Sequence, residues 1–404
     1  MKERIKIGVI GLGQRGMMLL PLFSEMHKED VEVSIVCDLY SDRVNGGADF
    51  VEQKTGKRPQ ETLNYKDVLQ SDIDGVFIFT SWEMHVPIAV VAMKAGIYVG
   101  LEVGGAYSVK QCWDLVKAHE ESGTHLMLLE NCCFGRRELM ILNMVKMGVF
   151  GEIVHAAGGY CHDLREEVAY GEKLRHYRLR NYLTRNCENY PTHELGPIAK
   201  VLNINNGNRF LSLTSTASSA RGLNEYIKKE KENNPEYNFN FDDVKQGDVV
   251  TTVIKCLNGE TISLTLNTTL PRAYSRKFSV YGTLGQYEED NDSIFIDGTH
   301  NEFDFNWKEK WGNAEEYAEK YEHDLWKEYK KNPIGGHDGI DWLTINEFID
   351  CVKTGRKPEI DVYDAAALMS ITPLSERSIT LGGVAVEIPD FTNGNFAKIK
   401  SEVK

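Results

Sequence analysis

Arg4-Ile5-Lys6-Ile7-Gly8-Val9-Ile10-Gly11-Leu12-Gly13-Gln14-Arg15-Gly16 is the stretch that decides the fold. Arg4 to Ile10 is a short run rich in β-branched residues and reads as a buried parallel strand. The glycines follow at G-x-G-x-x-G spacing, and Met17 to Met26 then has helical character. A second strand, Val31 to Cys37, ends in Asp38, 22 residues beyond Gly16. Strand, glycine turn, helix, strand and terminal acid together form a dinucleotide-binding fingerprint. Gly11 permits the tight turn, Gly13 lets the backbone approach a pyrophosphate, and Gly16 lets the helix pack closely on the sheet. Gln14 and Arg15 offer backbone and side-chain contacts at the helix N-terminus, which favours phosphate. Asp38 is suited to accept hydrogen bonds from a ribose 2′-hydroxyl and to repel a 2′-phosphate, which selects NAD over NADP. The competing reading is a glycine-rich turn in another α/β fold with no nucleotide.

Outward from this stretch, strand and helix alternate. Helical character over Tyr65 to Leu69, Pro87 to Ala95 and Val109 to Ser122 separates strands at Gly75 to Phe79, Tyr98 to Leu101 and Leu126 to Leu129. Such alternation predicts a doubly wound parallel sheet with ligands beyond the carboxyl ends of its strands. Those ends are Asp38, Thr80-Ser81-Trp82, Glu102-Val103 and Glu130-Asn131. The expected domains are therefore an NAD-binding Rossmann domain over 1–130 and a substrate and oligomerisation domain over 131–404. From Gly151 the strands lengthen and alternate, at Gly151 to Cys161, Asp248 to Cys256, Thr261 to Thr268 and Lys277 to Tyr281. Asn258-Gly259 marks a hairpin between two of them. An α+β domain on a largely antiparallel or mixed open sheet is predicted, with a helix over Asp341 to Lys353 and residues 360–404 packing back on the first domain. The polar run Lys228 to Asn240, broken by Pro235, reads as a solvated loop.

Composition narrows the partners. The chain has 404 residues and a formal net charge of −14, with 60 acids against 46 bases. That balance argues against a nucleic-acid backbone as partner. No apolar run reaches the roughly 18 residues of a membrane span, so no membrane partner is expected. Met1-Lys2-Glu3-Arg4 leads straight into a strand and not into a signal peptide. The eight cysteines are scattered without a CxxC pair. A cytoplasmic protein with reduced thiols, no metal and a small-molecule substrate is the expectation. His155 and His162, seven apart, would fall on opposite faces of a strand. The vicinal pair Cys132-Cys133 reads as buried apolar thiols.

The N-terminal fingerprint, Thr80-Ser81-Trp82 with His85, the segment starting at Glu102, and His193 in its Gly-Pro-rich stretch resemble the Gfo/Idh/MocA superfamily over essentially the whole chain. Its members are NAD(P)-dependent sugar and polyol dehydrogenases, in which Glu-Lys-Pro supplies a lysine that polarises the oxidised hydroxyl. Here that segment is Glu102-Val103-Gly104. An alkyl side chain neither donates a hydrogen bond nor holds charge.

The departure points to one subgroup. Trp82-Glu83-Met84-His85, Glu102-Val103, Gly158-Gly159-Tyr160, His162-Asp163-Leu164-Arg165 and Asn189-Tyr190-Pro191-Thr192-His193-Glu194-Leu195-Gly196-Pro197 resemble glycoside hydrolase family 109. So do Pro271-Arg272-Ala273-Tyr274-Ser275-Arg276, Gly335-Gly336-His337 and Ile360-Asp361-Val362-Tyr363-Asp364-Ala365-Ala366. Two positions differ from the family pattern: Gly104 stands where proline is expected, and Glu194 where glycine is.

The resemblance implies an NAD-dependent α-N-acetylgalactosaminidase working by oxidation and elimination. Hydride leaves C3 of the sugar, the C2 proton is removed, the aglycone leaves C1, water adds, and the hydride returns. The implied catalytic residues are His193, Tyr190 and Tyr274. Tyr160, Arg178 and Thr192 would hold the sugar. Trp82 and His85 would line the nicotinamide ribose, with Glu102, Val103 and Asn131 around the nicotinamide. Tyr190 and His193 share a face if Pro191 opens a helix. Arg43 is suited either to stack on adenine or to a solvated helix face. Two other readings stay open: a net sugar or polyol dehydrogenase in which another residue replaces the lysine, and a non-catalytic NAD-binding regulator. A homo-oligomer through a sheet face of the second domain is compatible with the sequence.

Overall fold

The computed structural model describes residues 4–239, 243–334 and 339–397. Met1–Glu3, Asn240 and the Gly335-Gly336-His337 motif lie outside them. The contacts divide the chain into two units, one of residues 1–134 and 329–366, the other of 135–328 and 367–404.

The first unit is built on six strands: β1 (Ile5–Ile10), β2 (Val31–Cys37), β3 (Gln60–Thr62), β4 (Gly75–Ile78), β5 (Tyr98–Leu101) and β6 (Leu126–Leu128). They lie in the order β3-β2-β1-β4-β5-β6 and every pair is parallel. This is the expected doubly wound sheet, and its order reverses between β1 and β4. All of β1 but Lys6 is buried, as a central parallel strand with helices on both faces requires. The helices Gln14–Pro21, Ser41–Thr55, Trp82–Lys94 and Val109–Ser122 follow β1, β2, β4 and β5. Trp82–Lys94 starts five residues before the expected Pro87.

A returning segment completes this unit. The helix Ile340–Thr354 carries Phe348, which is fully buried with its ring 4.4 Å from Phe77 and 5.4 Å, edge-on, from Tyr98. Gly75 on β4 and Gly100 on β5 make the slot, since a Cβ on either would lie 3.1–3.2 Å from the Phe348 ring. The Leu128 amide donates to the Ile360 carbonyl at 3.1 Å. Residues 329–366 therefore belong with the Rossmann sheet, whereas the expectation put 131–404 in one body and only 360–404 back on the first. Of that C-terminal stretch, 360–366 join the first unit and 367–404 the second.

The second unit carries an eight-stranded sheet: β7 (Ile153–Cys161), β8 (Phe210–Ala217), β9 (Val250–Cys256), β10 (Thr261–Asn267), β11 (Ser279–Gly282), β12 (Gly285–Glu288), β13 (Ser293–Ile296) and β14 (Val386–Glu387). The order is β13-β12-β11-β7-β10-β9-β8-β14, antiparallel except for β7 with β10. Burial alternates strictly along β9, the signature of a sheet with one covered face. The helix Thr192–Val201 packs on β7, where Gly158 leaves room for Glu194. The run expected as a loop over 228–240 is instead helical to Asn233, because the helix Gly222–Asn233 begins upstream and buries Leu223 and Ile227. No described helix is long and apolar enough to cross a membrane. Each of the eight cysteines is buried and outside any disulfide.

Candidate active site

In the first unit the glycine turn leaves no room for a side chain at Gly11 or Gly16. Gly11 has φ +99°, and a Cβ there would lie 2.6 Å from the Phe79 carbonyl. A Cβ on Gly16 would overlap the Gly11 carbonyl oxygen, whereas Gly13 meets only the Arg43 guanidinium, at 3.4 Å. Backbone is thus laid open at the N-terminus of the helix Gln14–Pro21, where Gln14 is exposed. Asp38 closes β2. Its Oδ2 accepts from the Leu12 amide at 2.7 Å and its Oδ1 from the Tyr40 amide at 3.1 Å. Arg43 lies 3.9 Å from Asp38 and over the Tyr40 ring.

Beyond β4, Trp82 and His85 occupy the first turn of their helix and both are buried. His85 Nε2 sits 3.0 Å from the Thr80 carbonyl, so that nitrogen carries the proton. Burial pushes its pKa down to about 4, which keeps the imidazole neutral. Nδ1 is then an acceptor, buried without a hydrogen-bond partner among the described residues. A hydroxyl or amide donor from a bound nucleotide would satisfy it. The glycine cradle, Asp38 and this orphaned acceptor fit NAD.

At the ends of β5 and β6, Glu102, Val103 and Asn131 are buried together with Arg15 close by. The Arg15 guanidinium, expected on a pyrophosphate, instead forms a bidentate pair with Asp341 at 2.8 and 3.0 Å and approaches Glu102 at 3.4 Å. Gly104 has φ +147°, and the Trp82 indole fills the volume where its Cβ would be. Proline, locked near φ −65°, cannot take this conformation, which accounts for the departure from the family pattern.

In the second unit, three of the expected residues form one cluster. The Tyr190 ring is 4.4 Å from Tyr160 and 4.9 Å, edge-on, from His193. Tyr160 and His193 are 5.7 Å apart. β7 delivers Tyr160; Pro191 caps the helix Thr192–Val201, so His193 lies in its first turn and Tyr190 in the segment just before the cap, not on the helix. Arg178 is buried, with its guanidinium 5.1 Å over the Tyr190 ring and its Nε 3.2 Å from Glu167. Burial raises the Tyr160 phenol above its ordinary value although Arg178 opposes this, so Tyr160 is a donor at neutral pH.

Tyr274 reaches the cluster indirectly. It is 53% exposed and stacks edge-on at 5.2 Å against His162, whose Nδ1 lies 3.4 Å from the Tyr160 hydroxyl. Burial, then Arg178, lowers the His162 pKa. Thr192 is fully buried, with its hydroxyl enclosed. Sequence reasoning quoted His162 in its motif without giving it a role, and missed Glu167 as a partner. It also missed Glu188, fully buried two residues before Tyr190, whose carboxyl burial pushes up to about 8. No local signal announces a buried acid in so polar a stretch.

Residues 5–129 match the oxidoreductase family with an NAD-binding Rossmann fold, and residues 134–398 match the C-terminal domain of glycosyl hydrolase 109. A glycosyl hydrolase family 109 protein from Stenotrophomonas maltophilia is 38% identical over 98% of this chain and 91% of its own length. An α-N-acetylgalactosaminidase from Tannerella forsythia is 41% identical over 80% of this chain and 72% of its own. Among solved structures, an NAD binding oxidoreductase from Klebsiella pneumoniae is similar in fold, with a TM-score of 0.70 at 12% identity over 96% of this chain and 100% of that one. The chain belongs to glycoside hydrolase family 109, a family of NAD-dependent glycosidases.

Proposed function

We propose that the protein hydrolyses a small α-N-acetylgalactosaminide, or a related hexoside, by oxidation and elimination. The observation that carries this reading is the Tyr160–Tyr190–His193 cluster, proton-transfer groups where most glycosidases place two flanking carboxylates. Bound NAD supplies the hydride acceptor for C3 of the sugar and returns the hydride at the end of each turnover. The chain's residues manage protons. Tyr190 and His193 take the C3 hydroxyl proton and then the C2 proton, which a neighbouring ketone makes acidic. The electron pair left at C2 expels the aglycone from C1, and water then adds at C1 while C2 regains a proton. The C1–O bond to the aglycone breaks and one to water oxygen forms, so the net reaction is hydrolysis. Tyr160 donates to a sugar hydroxyl, Arg178 fixes the Tyr190 ring, and Tyr274 contacts the sugar from its exposed loop.

The test is to incubate the purified protein with a chromogenic α-N-acetylgalactosaminide in D₂O, with no cofactor beyond what co-purifies. Aglycone release with deuterium at C2 and no net NADH is the expected result. Stoichiometric NADH with an intact glycosidic bond would replace this reading with a dehydrogenase. Neither signal across a panel of glycosides would favour a non-catalytic NAD-binding regulator.

A further inference from the structure

One carboxylate ties together three separate parts of the cofactor end. Asp341 opens the helix Ile340–Thr354, more than two hundred residues after β6, and is buried. Its two oxygens receive the Arg15 guanidinium at 2.8 and 3.0 Å, and Oδ1 also accepts from Asn131 Nδ2 at 2.8 Å. Arg15 in turn approaches Glu102 at 3.4 Å. Arg15 follows β1, Glu102 follows β5, and Asn131 follows β6. The three charged side chains carry one positive and two negative charges.

We propose that Asp341 is a positioning residue that holds Arg15 and Asn131 in place and, with Glu102, offsets the Arg15 charge beside the nicotinamide, so that bound NAD rests oxidised. This rests on the cofactor reading above, in which Glu102 and Asn131 border the nicotinamide. The oxidised ring is cationic and the reduced ring neutral. Arg15 alone would therefore favour the reduced form, and two carboxylates on the guanidinium reverse that preference. A neutral clamp of the same shape would hold the geometry and leave the preference unset. An oxidised resting state suits a turnover that begins by removing hydride from a sugar.

The experiment equilibrates the purified protein, without glycoside, in mixtures of NAD⁺ and NADH at fixed total concentration. Rapid desalting and extraction then give the oxidised-to-reduced ratio on the protein. Wild type is expected to enrich the oxidised form. Asp341→Asn should shift the bound ratio about tenfold towards NADH, equivalent to about 1.4 kcal/mol, or about 30 mV for the two-electron couple. Asp341→Glu should return the ratio towards wild type. Glu102→Gln, which removes the other negative charge without touching Asp341, should shift it in the same direction, so the test survives if Asp341→Asn does not fold. An unchanged ratio in the foldable charge-removing variants, with or without a drop in total nucleotide bound, would leave only a structural clamp and overturn the proposal. Wild type that takes up neither nucleotide would overturn the cofactor reading and this proposal with it.

Discussion

Gly104 offers the sharpest test of how the first unit holds the nicotinamide end. Its φ of +147° is closed to residues with a Cβ, and the Trp82 indole occupies the space a Cβ would need. Replacing it with alanine should cost about 1–3 kcal/mol in backbone strain. Overpacking against the indole adds about 1–3 kcal/mol. For a unit of this size, that lowers Tm by roughly 5–20 °C. Gly104→Pro, which restores the residue of the family pattern, should do worse, because the ring fixes φ on the other side of zero. Differential scanning fluorimetry with and without NAD reads both effects, and displacement of Trp82 should also weaken NAD binding. Gly46 supplies the control: it is exposed within the helix Ser41–Thr55, and a Cβ there would meet nothing within 4 Å. Gly46→Ala should stabilise by about 0.5–1 kcal/mol. Gly104→Ala melting at or above wild type, with NAD affinity intact, would refute the reasoning.

His193→Ala should abolish glycoside turnover while bound NAD stays at wild-type occupancy, measured by nucleotide extraction; full activity removes His193 from the mechanism. Phe348→Ala empties the slot between Gly75 and Gly100 and should cost about 3–5 kcal/mol, read by urea denaturation of the first unit's tryptophan signal. Glu188, pushed up to about 8 by burial, is a group whose folded pKa lies above its unfolded value. Between pH 4.5 and 8 the folded state holds the extra proton, so its stabilising contribution is complete below that window and lost as pH rises through 8. Urea melts at pH 5, 7 and 9 should show stability falling with pH, and Glu188→Gln should flatten the slope. Equal slopes in both proteins would exclude Glu188 as its source.

The parts legible in the sequence were those set by local rules. β1, the glycine turn and Asp38 follow one another within 38 residues, and each step has its own steric reason. Tyr190 and His193 do meet, at 4.9 Å, but across the helix N-terminus and not by the expected i, i+3 helical spacing, because Pro191 is the cap and Tyr190 precedes it. β3 escaped notice because Gln60-Glu61-Thr62 carries no apolar residue and exists only as an edge strand beside β2. The helix Gly222–Asn233 was hidden because its anchoring residues, Leu223 and Ile227, precede the polar run. Asp341 and Phe348 were illegible as partners of the nucleotide fold, since their sites are made by residues more than two hundred positions earlier. Nothing periodic in a sequence records such a meeting.

The return of residues 329–366 to the first unit has a consequence for synthesis. A ribosome releases the whole second unit's main span, about two hundred residues, before Phe348 and Asp341 emerge. At translation rates of about 5–20 residues per second, the nascent Rossmann sheet waits roughly 10–40 s with its Gly75–Gly100 slot open and Arg15 unmatched by Asp341. Vectorial folding therefore yields an unfinished first unit that is exposed to chaperones. A fragment ending at residue 134 reproduces that waiting state and not the mature domain.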